Sequence, residues 1–237
     1  MMSLSIPEAI AEVYHKSGVA QPSGRRYVVL LADLLGGYNV TCTEITGLTS
    51  EAASTFLLRR GAVLEPLGNI SQEPLAGYIN VSSIGGNIFV ERADLIVRRR
   101  FSVAHELGHY VLHFLPLIES GAFEQFEQFE IVEVLAPFST EEDADDLPTG
   151  RIYLPKRSDL TSLLPSYEQM EREANQFSAE LLMPESVVRS LLDRYAVSCR
   201  GDDLVWRLAS EMLVSRSAAR WRLRNLGLLA VSTAQWN

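Results

Sequence analysis

Two stretches near the start of the chain have the hydrophobic pattern of helices. Apolar residues in 6–18 recur every three or four positions, which is the spacing of an amphipathic helix. Residues 25–36 are largely apolar, and we expect a second helix there. Together these stretches predict a helical layer in the N-terminal part of the domain.

The next part of the chain has the pattern of a small sheet. From 39 to 92, short apolar runs alternate with Gly, Pro and Asn, which is typical of strands and turns. The clearest strands are 75–81 and 87–91, joined by a turn across 82–86. We therefore expect a small sheet immediately before the first long helix.

Two longer helices follow the predicted sheet. The first spans about 101–114. The second covers 167–183, because Ser166 and Gln169 fit a capping box at its start and Pro184 stops it. Beyond this proline the pattern is helical again.

An acidic segment separates the two long helices. Residues 119–146 hold ten acidic residues, whereas no Lys or Arg occurs from 101 to 150. Phenylalanine recurs every three residues in 123–130, a period that suits neither a helix face nor a strand. We interpret about 116–150 as an acidic insertion, and 141–146 as a solvated loop within it.

The composition indicates a folded protein and excludes several classes. Of the 237 residues, 47% are hydrophobic, which is enough to bury a core. The first residues lack the regions of a signal peptide, and no apolar run approaches the ~18 residues of a membrane span. We therefore expect a cytoplasmic protein without membrane contact. A net charge of −9 argues against nucleic-acid binding by the chain as a whole.

The two cysteines do not indicate a chemical role. Cys42 and Cys199 are far apart and belong to no CxxC or CxxH pattern. We expect ordinary buried thiols rather than a disulfide or a thiolate zinc site.

The strongest chemical signal is the segment His105-Glu106-Leu107-Gly108-His109. Residues four apart on an α-helix are separated by about 6 Å of rise and about 40° of azimuth, so His105 and His109 can converge on one cation. Two imidazoles and a third protein ligand bind zinc and leave a coordination position for water. Glu106 is then placed as the general base that accepts a proton from this water.

The second long helix supplies a candidate for the third ligand. Helical azimuths place Glu171 at the border of the apolar face, where a carboxylate needs a cationic partner. Glu173 and Glu180 fall on the opposite side, where we expect no such need. Asn175, one turn after Glu171, is placed to hydrogen-bond to a metal ligand and orient it. The alternative is a helix with ordinary surface glutamates.

His113 continues the row of His105 and His109, but we do not expect it to bind the metal. It lies about 12 Å of rise from His105, too far for two ligands that are each about 2 Å from one zinc. We interpret it as a packing or hydrogen-bonding histidine.

The two motifs resemble the signature of the ImmA/IrrE metallopeptidases. The resemblance lies in Arg100 to His109, which reads RFSVAHELGH, and in Glu171 to Pro184, which reads EREANQFSAELLMP. It extends over about 75–115 and 167–228. It implies a zinc endopeptidase with Glu171 as third ligand, and a substrate like that of characterised members, which cleave helix-turn-helix repressors and release phage, mobile-element or DNA-damage-response genes.

The C-terminal residues have the spacing of a helix-turn-helix. In 204–228 the apolar positions fit two helices, and Ser215 is a candidate cap for the second. Residues 200–237 hold six arginines against three acidic residues. The arginines either contact phosphates or a partner, or coat a structural unit packed on the peptidase, and we favour the structural interpretation. Those concerned are Arg216, Arg220, Arg222 and Arg224.

The predicted fold is α+β and zincin-like, with a small sheet and an active-site helix in a peptidase domain at 1–185. A helix-turn-helix-like unit follows at 186–237. The predicted function is zinc-dependent hydrolysis of a peptide bond in a protein, with manganese as an alternative metal because a His2Glu site accepts several divalent ions. The substrate class, a helix-turn-helix repressor, comes from the resemblance.

Two other functions and one role for the insertion stay open. The chain could be a non-catalytic regulator or antirepressor that binds DNA or a repressor, or a component of a toxin-antitoxin pair. The acidic insertion is either a solvated loop or a surface whose carboxylates steer a basic substrate towards the enzyme.

Overall fold

A mixed five-stranded sheet with helices packed on it forms the body of the protein. The strands are Val40–Ile45 (β1), Leu75–Ser82 (β2), Gly85–Glu91 (β3), Phe129–Val134 (β4) and Arg151–Tyr153 (β5), in the order β1-β3-β2-β4-β5. Strand β1 runs parallel to β3, and the other three pairs are antiparallel. The computed structural model describes residues 4–23, 26–62, 72–121, 129–134, 151–153, 164–195, 198–199 and 201–229, with the backbone alone at 129–134 and 151–153.

The helices come before the sheet, between its strands and after it. They are Ile6–Ser17 (α1), Leu31–Leu35 (α2), Ser50–Arg59 (α3), Ile96–His109 (α4), Leu115–Glu119 (α5), Tyr167–Leu182 (α6), Glu185–Tyr195 (α7), Asp202–Met212 (α8) and Arg216–Asn225 (α9). A π-helical turn, Tyr110–Phe114, joins α4 to α5. Among the described residues, no helix has the length and apolar character needed to span a bilayer.

Strands β2 and β3 are buried on both faces. Successive side chains of a strand point to opposite faces, so these two strands feed two cores. One face contributes to a large core shared with α1, α4, α6 and the C-terminal helices; its strand residues are Ile79, Val81, Ile88 and Val90. The other face packs Tyr78 and Phe89 against Leu57 of α3 in a smaller core.

Helices α4 and α6 pack closely at Gly108. A Cβ atom at this position would lie 3.0 Å from a ring carbon of Phe177 and 3.3 Å from the Cα of Ala174. A larger residue would therefore press directly on the ring and backbone of α6. This contact brings the two sequence motifs side by side.

The expectations for the N-terminal half are partly confirmed. The helix at 6–18 and the strands at 75–81 and 87–91 are present. The helix expected at 25–36 is wrong over most of its length, because only Leu31–Leu35 is helical. A continuous apolar run has no helical period, and Val29 is buried there without a helix.

Helix α3 lies inside the region that the sequence predicted as β-rich. Thr49 caps it, since its side chain accepts a hydrogen bond from the N–H of Ala52 at 3.0 Å. A cap residue followed by Ser50-Glu51-Ala52-Ala53 is the signal that marks this helix in the sequence.

Both predicted long helices are confirmed, but the first has different limits from those predicted. Helix α4 begins at Ile96 rather than 101 and gives way to the π-turn after His109. Helix α6 begins as predicted, because the hydroxyl of Ser166 accepts a hydrogen bond from the N–H of Gln169 at 3.3 Å.

Part of the predicted acidic insertion belongs to the sheet. Strand β4 pairs with β2, and β5 pairs with β4. The expectation that 123–130 suits no strand is therefore wrong at Phe129 and Glu130, because the free edge of β2 offers backbone hydrogen bonds that the local pattern does not reveal. Residues 122–128 and 141–146 lie outside the described residues.

The expectation of buried thiols is wrong. Cys42 is exposed and Cys199 is half-buried. Cys42 lies on β1, an edge strand, and its neighbour Thr41 is exposed as well.

Helices α8 and α9 of the C-terminal unit are joined by a tight turn. Leu213, in the left-handed conformation with φ 52°, ends α8, and the side chain of Ser215 caps α9 as predicted. Arg222 of α9 is buried and donates a hydrogen bond from Nε to the carbonyl of Met183 at 3.1 Å. Its guanidinium is therefore an anchor to the peptidase rather than a phosphate contact.

Replacing Gly108 with Val should lower the free energy of unfolding by about 2 kcal/mol, because the added atoms overpack the contact with α6. Urea unfolding followed by circular dichroism measures this. Ala11→Val, at an exposed position of α1, controls for the cost of a β-branched residue in a helix. Equal losses in the two variants would show that the close approach at Gly108 carries no packing constraint.

Candidate metal centre

Three side chains from two helices converge inside the protein. His105 and His109 come from α4, and Glu171 comes from α6. The Nε2 of His109 lies 3.1 Å from one carboxylate oxygen of Glu171, and the Nε2 of His105 lies 3.5 Å from the other. Both histidines are fully buried, and Glu171 is 8% exposed. The three ligand atoms all lie within 4.8 Å of one another.

The arrangement concentrates electron-rich atoms in one place. The Nε2 atoms of His105 and His109 face each other at 2.9 Å, with the carboxylate of Glu171 beside them. The Nδ1 of His105 is 3.1 Å from the Oδ1 of Asn175, so a proton on Nδ1 leaves the Nε2 of His105 as a lone pair. At these distances the carboxylate and an unprotonated imidazole nitrogen repel one another unless a proton or a metal cation lies between them. The donor set therefore fits a divalent metal.

The protonation states of the group also suit a metal. Burial lowers the pKa of His109 to about 3, although the carboxylate of Glu171 opposes the shift. Burial disfavours the charged form of Glu171, but hydrogen bonds and charge interactions with His105 and His109 outweigh it and hold its pKa below the ordinary value. Neutral imidazole and ionised carboxylate are the forms that bind metal ions.

Glu106 and Asn175 lie where the sequence placed them. Glu106 follows His105 on α4 and is fully buried, with both carboxylate oxygens shielded from solvent. Asn175 is 6% exposed and its Oδ1 contacts the Nδ1 of His105, which is the contact that the orienting role predicted for it requires.

A groove leads to this group of residues. It has a volume of about 850 Å³ and runs between α6 and α9, with Glu171 and Asn175 in its lining. Tyr167 and Trp221 contribute aromatic surface to its walls. Of the three candidate ligands, Glu171 lines the groove, whereas His105 and His109 do not.

The expectation that Glu173 and Glu180 of α6 need no partner is wrong for both residues. Glu173 accepts a hydrogen bond from the Nε2 of His113 at 3.0 Å, and Glu180 lies 3.5 Å from the Nη1 of Arg222. Both were placed on the solvent side by their azimuths. The partner of Glu173 comes from the π-turn after α4, and the partner of Glu180 comes from α9. The periodicity of α6 alone does not show either of them.

The role expected for His113 fits its position. It is 4% exposed, hydrogen-bonded, and outside the group of three ligand atoms.

A buried His-His-Glu group held between two helices beside a small sheet is the arrangement of a zincin-like metallopeptidase. Residues 153–224 match the family model of the M78 peptidases, described as the IrrE N-terminal-like domain. Over these residues the match supports the resemblance to the ImmA/IrrE family seen in the sequence. The match includes Glu171 and Asn175, whereas the segment from His105 to His109 precedes it. No curated protein matches the sequence.

Lowering the pH from 7 to 5 should destabilise the metal-free protein. The pKa of His109 is about 3 in the folded protein and near 6.5 in an unfolded chain, so the unfolded state binds more protons in this window. The free energy of unfolding then falls with the pH, by about 2 kcal/mol for one such histidine.

Urea unfolding in the presence of a chelator at both pH values measures this loss. His109→Gln removes the titrating group, and its loss between the two pH values should be smaller by that amount. Identical losses in wild type and variant would contradict the prediction.

Proposed function

We propose that the protein is a zinc-dependent endopeptidase in which His105, His109 and Glu171 bind the metal. The observation that carries this proposal is the convergence of two imidazole nitrogens and a carboxylate, all buried and within 4.8 Å of one another. Nitrogen and carboxylate ligands of this number favour zinc, and manganese is a second metal that the set would accept.

A bound zinc ion supplies Lewis-acid chemistry, because it polarises a carbonyl group and makes water more acidic. The chain's own residues position the metal and move the protons. In the proposal, Glu106 accepts a proton on its carboxylate from the attacking water and later donates it to the leaving amine. Asn175 holds the ring of His105 through its contact with Nδ1.

The substrate in this proposal is a protein segment bound in the groove between α6 and α9. The groove borders Glu171 and Asn175, so a chain lying in it passes the metal centre. Tyr167 and Trp221 offer apolar surface for the side chains of such a segment.

A helix-turn-helix repressor is the proposed substrate class. The support comes from the family, whose characterised members cleave such repressors, and from electrostatics. The chain carries a net charge of −9, and DNA-binding proteins present basic surfaces, so the two partners attract each other over a distance.

The alternative is a non-catalytic regulator that binds DNA or a repressor, or a toxin-antitoxin component. In its DNA-binding form this alternative needs free arginines on the C-terminal unit. Arg222 is 6% exposed, and Arg220 lies 3.0 Å from Asp202. These contacts support a structural role for two of the four arginines named above, whereas Arg216 and Arg224 are exposed.

Purified wild type should contain about one zinc per chain, and Glu171→Ala should lose most of it, because two neutral imidazoles alone hold zinc weakly. Mass spectrometry of the metal content measures both. Glu168→Ala, at an exposed position of the same helix, is the matched control and should keep its zinc. Wild type without zinc after the metal has been supplied would contradict the proposal.

Glu106→Gln should retain zinc and fold but lose at least about 100-fold in peptide-bond hydrolysis, because it cannot accept a proton from water. The assay is cleavage of a proteome-derived peptide library and of the source organism's helix-turn-helix proteins, followed by mass spectrometry. Undiminished cleavage by the variant would remove Glu106 as the base. Binding of a repressor without cleavage by either protein would favour the regulator.

A further inference from the structure

Two buried histidines, His109 and His113, and Glu173 form a continuous row that leads away from the proposed ligand atoms. The Nδ1 of His109 lies 3.2 Å from the Nδ1 of His113, and the Nε2 of His113 lies 3.0 Å from a carboxylate oxygen of Glu173. The other oxygen of Glu173 accepts a hydrogen bond from the side chain of Gln169 at 2.8 Å. The side chain of His113 is 1% exposed, and that of Glu173 is 32% exposed. The row therefore runs from the metal centre to a carboxylate at the protein surface.

The chemistry of these contacts fixes where each proton lies. An ionised carboxylate can only accept hydrogen bonds, so the Nε2 of His113 must carry a proton. A neutral His113 then has an unprotonated Nδ1, which acts as an acceptor. The Nδ1 of His109, facing that acceptor at 3.2 Å, must be the donor. The Nε2 of His109 is left as the lone pair that points towards Glu171.

The geometry around His109 agrees with this assignment. The Nε2 of His109 faces the Nε2 of His105 at 2.9 Å and the carboxylate of Glu171 at 3.1 Å, which is the side on which a metal would bind. A neutral His109 that binds a metal through Nε2 carries its proton on Nδ1, and the Nδ1 of His113 at 3.2 Å must then be the acceptor.

The fold provides this row through two local features. The π-turn at Tyr110–Phe114 ends with a hydrogen bond from the N–H of Leu115 to the carbonyl of Tyr110 and carries His113 within it. Such turns change the direction of the side chains that follow, and they are frequent at functional sites. On the facing helix, Glu173 lies two residues after Glu171, so α6 provides both a proposed ligand and the end of the row.

We propose that His113 and Glu173 are positioning residues that fix the proton of His109 on Nδ1 and thereby keep its Nε2 available to a metal. His113 acts as an acceptor for His109, and Glu173 orients His113. The other proposed histidine ligand, His105, is oriented by Asn175 in the same sense. Each proposed histidine ligand thus has a partner at its Nδ1 atom. The partner of His105 is Asn175, and the partner of His109 is His113. The proposal rests on the metal site proposed above, but not on peptide hydrolysis.

The test compares two variants of similar size, His113→Asn and His113→Leu. Asparagine offers an oxygen near the place of Nδ1 and can accept the hydrogen bond from His109, whereas leucine cannot. The zinc dissociation constant, measured by competition with a chromophoric chelator, should rise about 10- to 100-fold for Leu and stay within about 3-fold of wild type for Asn. Glu173→Ala should weaken zinc binding less than His113→Leu does. Glu168→Ala is the control and should bind zinc with wild-type affinity.

Three results would overturn the proposal. Equal weakening in the Asn and Leu variants would indicate that His113 only fills space. Wild-type affinity in the Leu variant would show that His109 needs no such partner. Wild type that binds no zinc would overturn the proposed function and this proposal together, whereas the first two results leave the proposed function standing.

A second measurement tests the proposal on the wild-type protein and does not depend on the folding of a variant. Nitrogen-15 NMR of the histidine rings in zinc-loaded wild type should show a neutral His113 with its proton on Nε2. A proton on Nδ1 of His113, or on both nitrogens, would overturn the proposal, because His113 could then accept nothing from His109.

Discussion

The main constraint on the structure is the packing that holds three buried candidate metal ligands close together. His105, His109 and Glu171 lie at distances at which an unprotonated imidazole nitrogen and a carboxylate repel each other. The helices that carry these residues must therefore be fixed from outside, and a proton or a metal cation among the three side chains relieves the repulsion. The sheet supports α4 through the core that Ile79 and Ile88 share with it. The approach at Gly108 then fixes α6 against α4, so the packing determines the site.

The proposed ligands could be predicted from the sequence because their geometry is local. Four residues of helix bring His105 and His109 to one side, and an azimuth on α6 turns Glu171 towards the core. The partners that cross between elements could not be predicted in this way. Glu173 and Glu180 lie on the solvent side of their own helix, yet His113 and Arg222 reach them from other elements.

The same difference between local patterns and contacts across elements explains which parts of the fold could be predicted. Helices with an amphipathic period or a cap, such as α1 and α6, follow from nearby residues. Helix α3 had a local signal in Thr49, which the β-rich texture around it obscured. Strand β4 had none, because its pairing with β2 joins residues about 50 positions apart and depends on an edge that exists only after the sheet forms. The apolar run predicted as a helix at 25–36 is helical at Leu31–Leu35 alone, and it combines buried positions such as Val29 with exposed ones such as Leu30.

The C-terminal unit shows how a sequence pattern can fit two roles until packing is known. The spacing of α8 and α9 suits a helix-turn-helix, and the arginines of α9 suit phosphates. Arg222 nevertheless lies against Met183 and Glu180, at the end of the helix that carries Glu171. The groove that borders Glu171 has Trp221 and Arg222 in its lining. Helix α9 thus forms a wall of the groove that borders the candidate metal centre, and a segment bound in this groove would contact both parts of the chain at once.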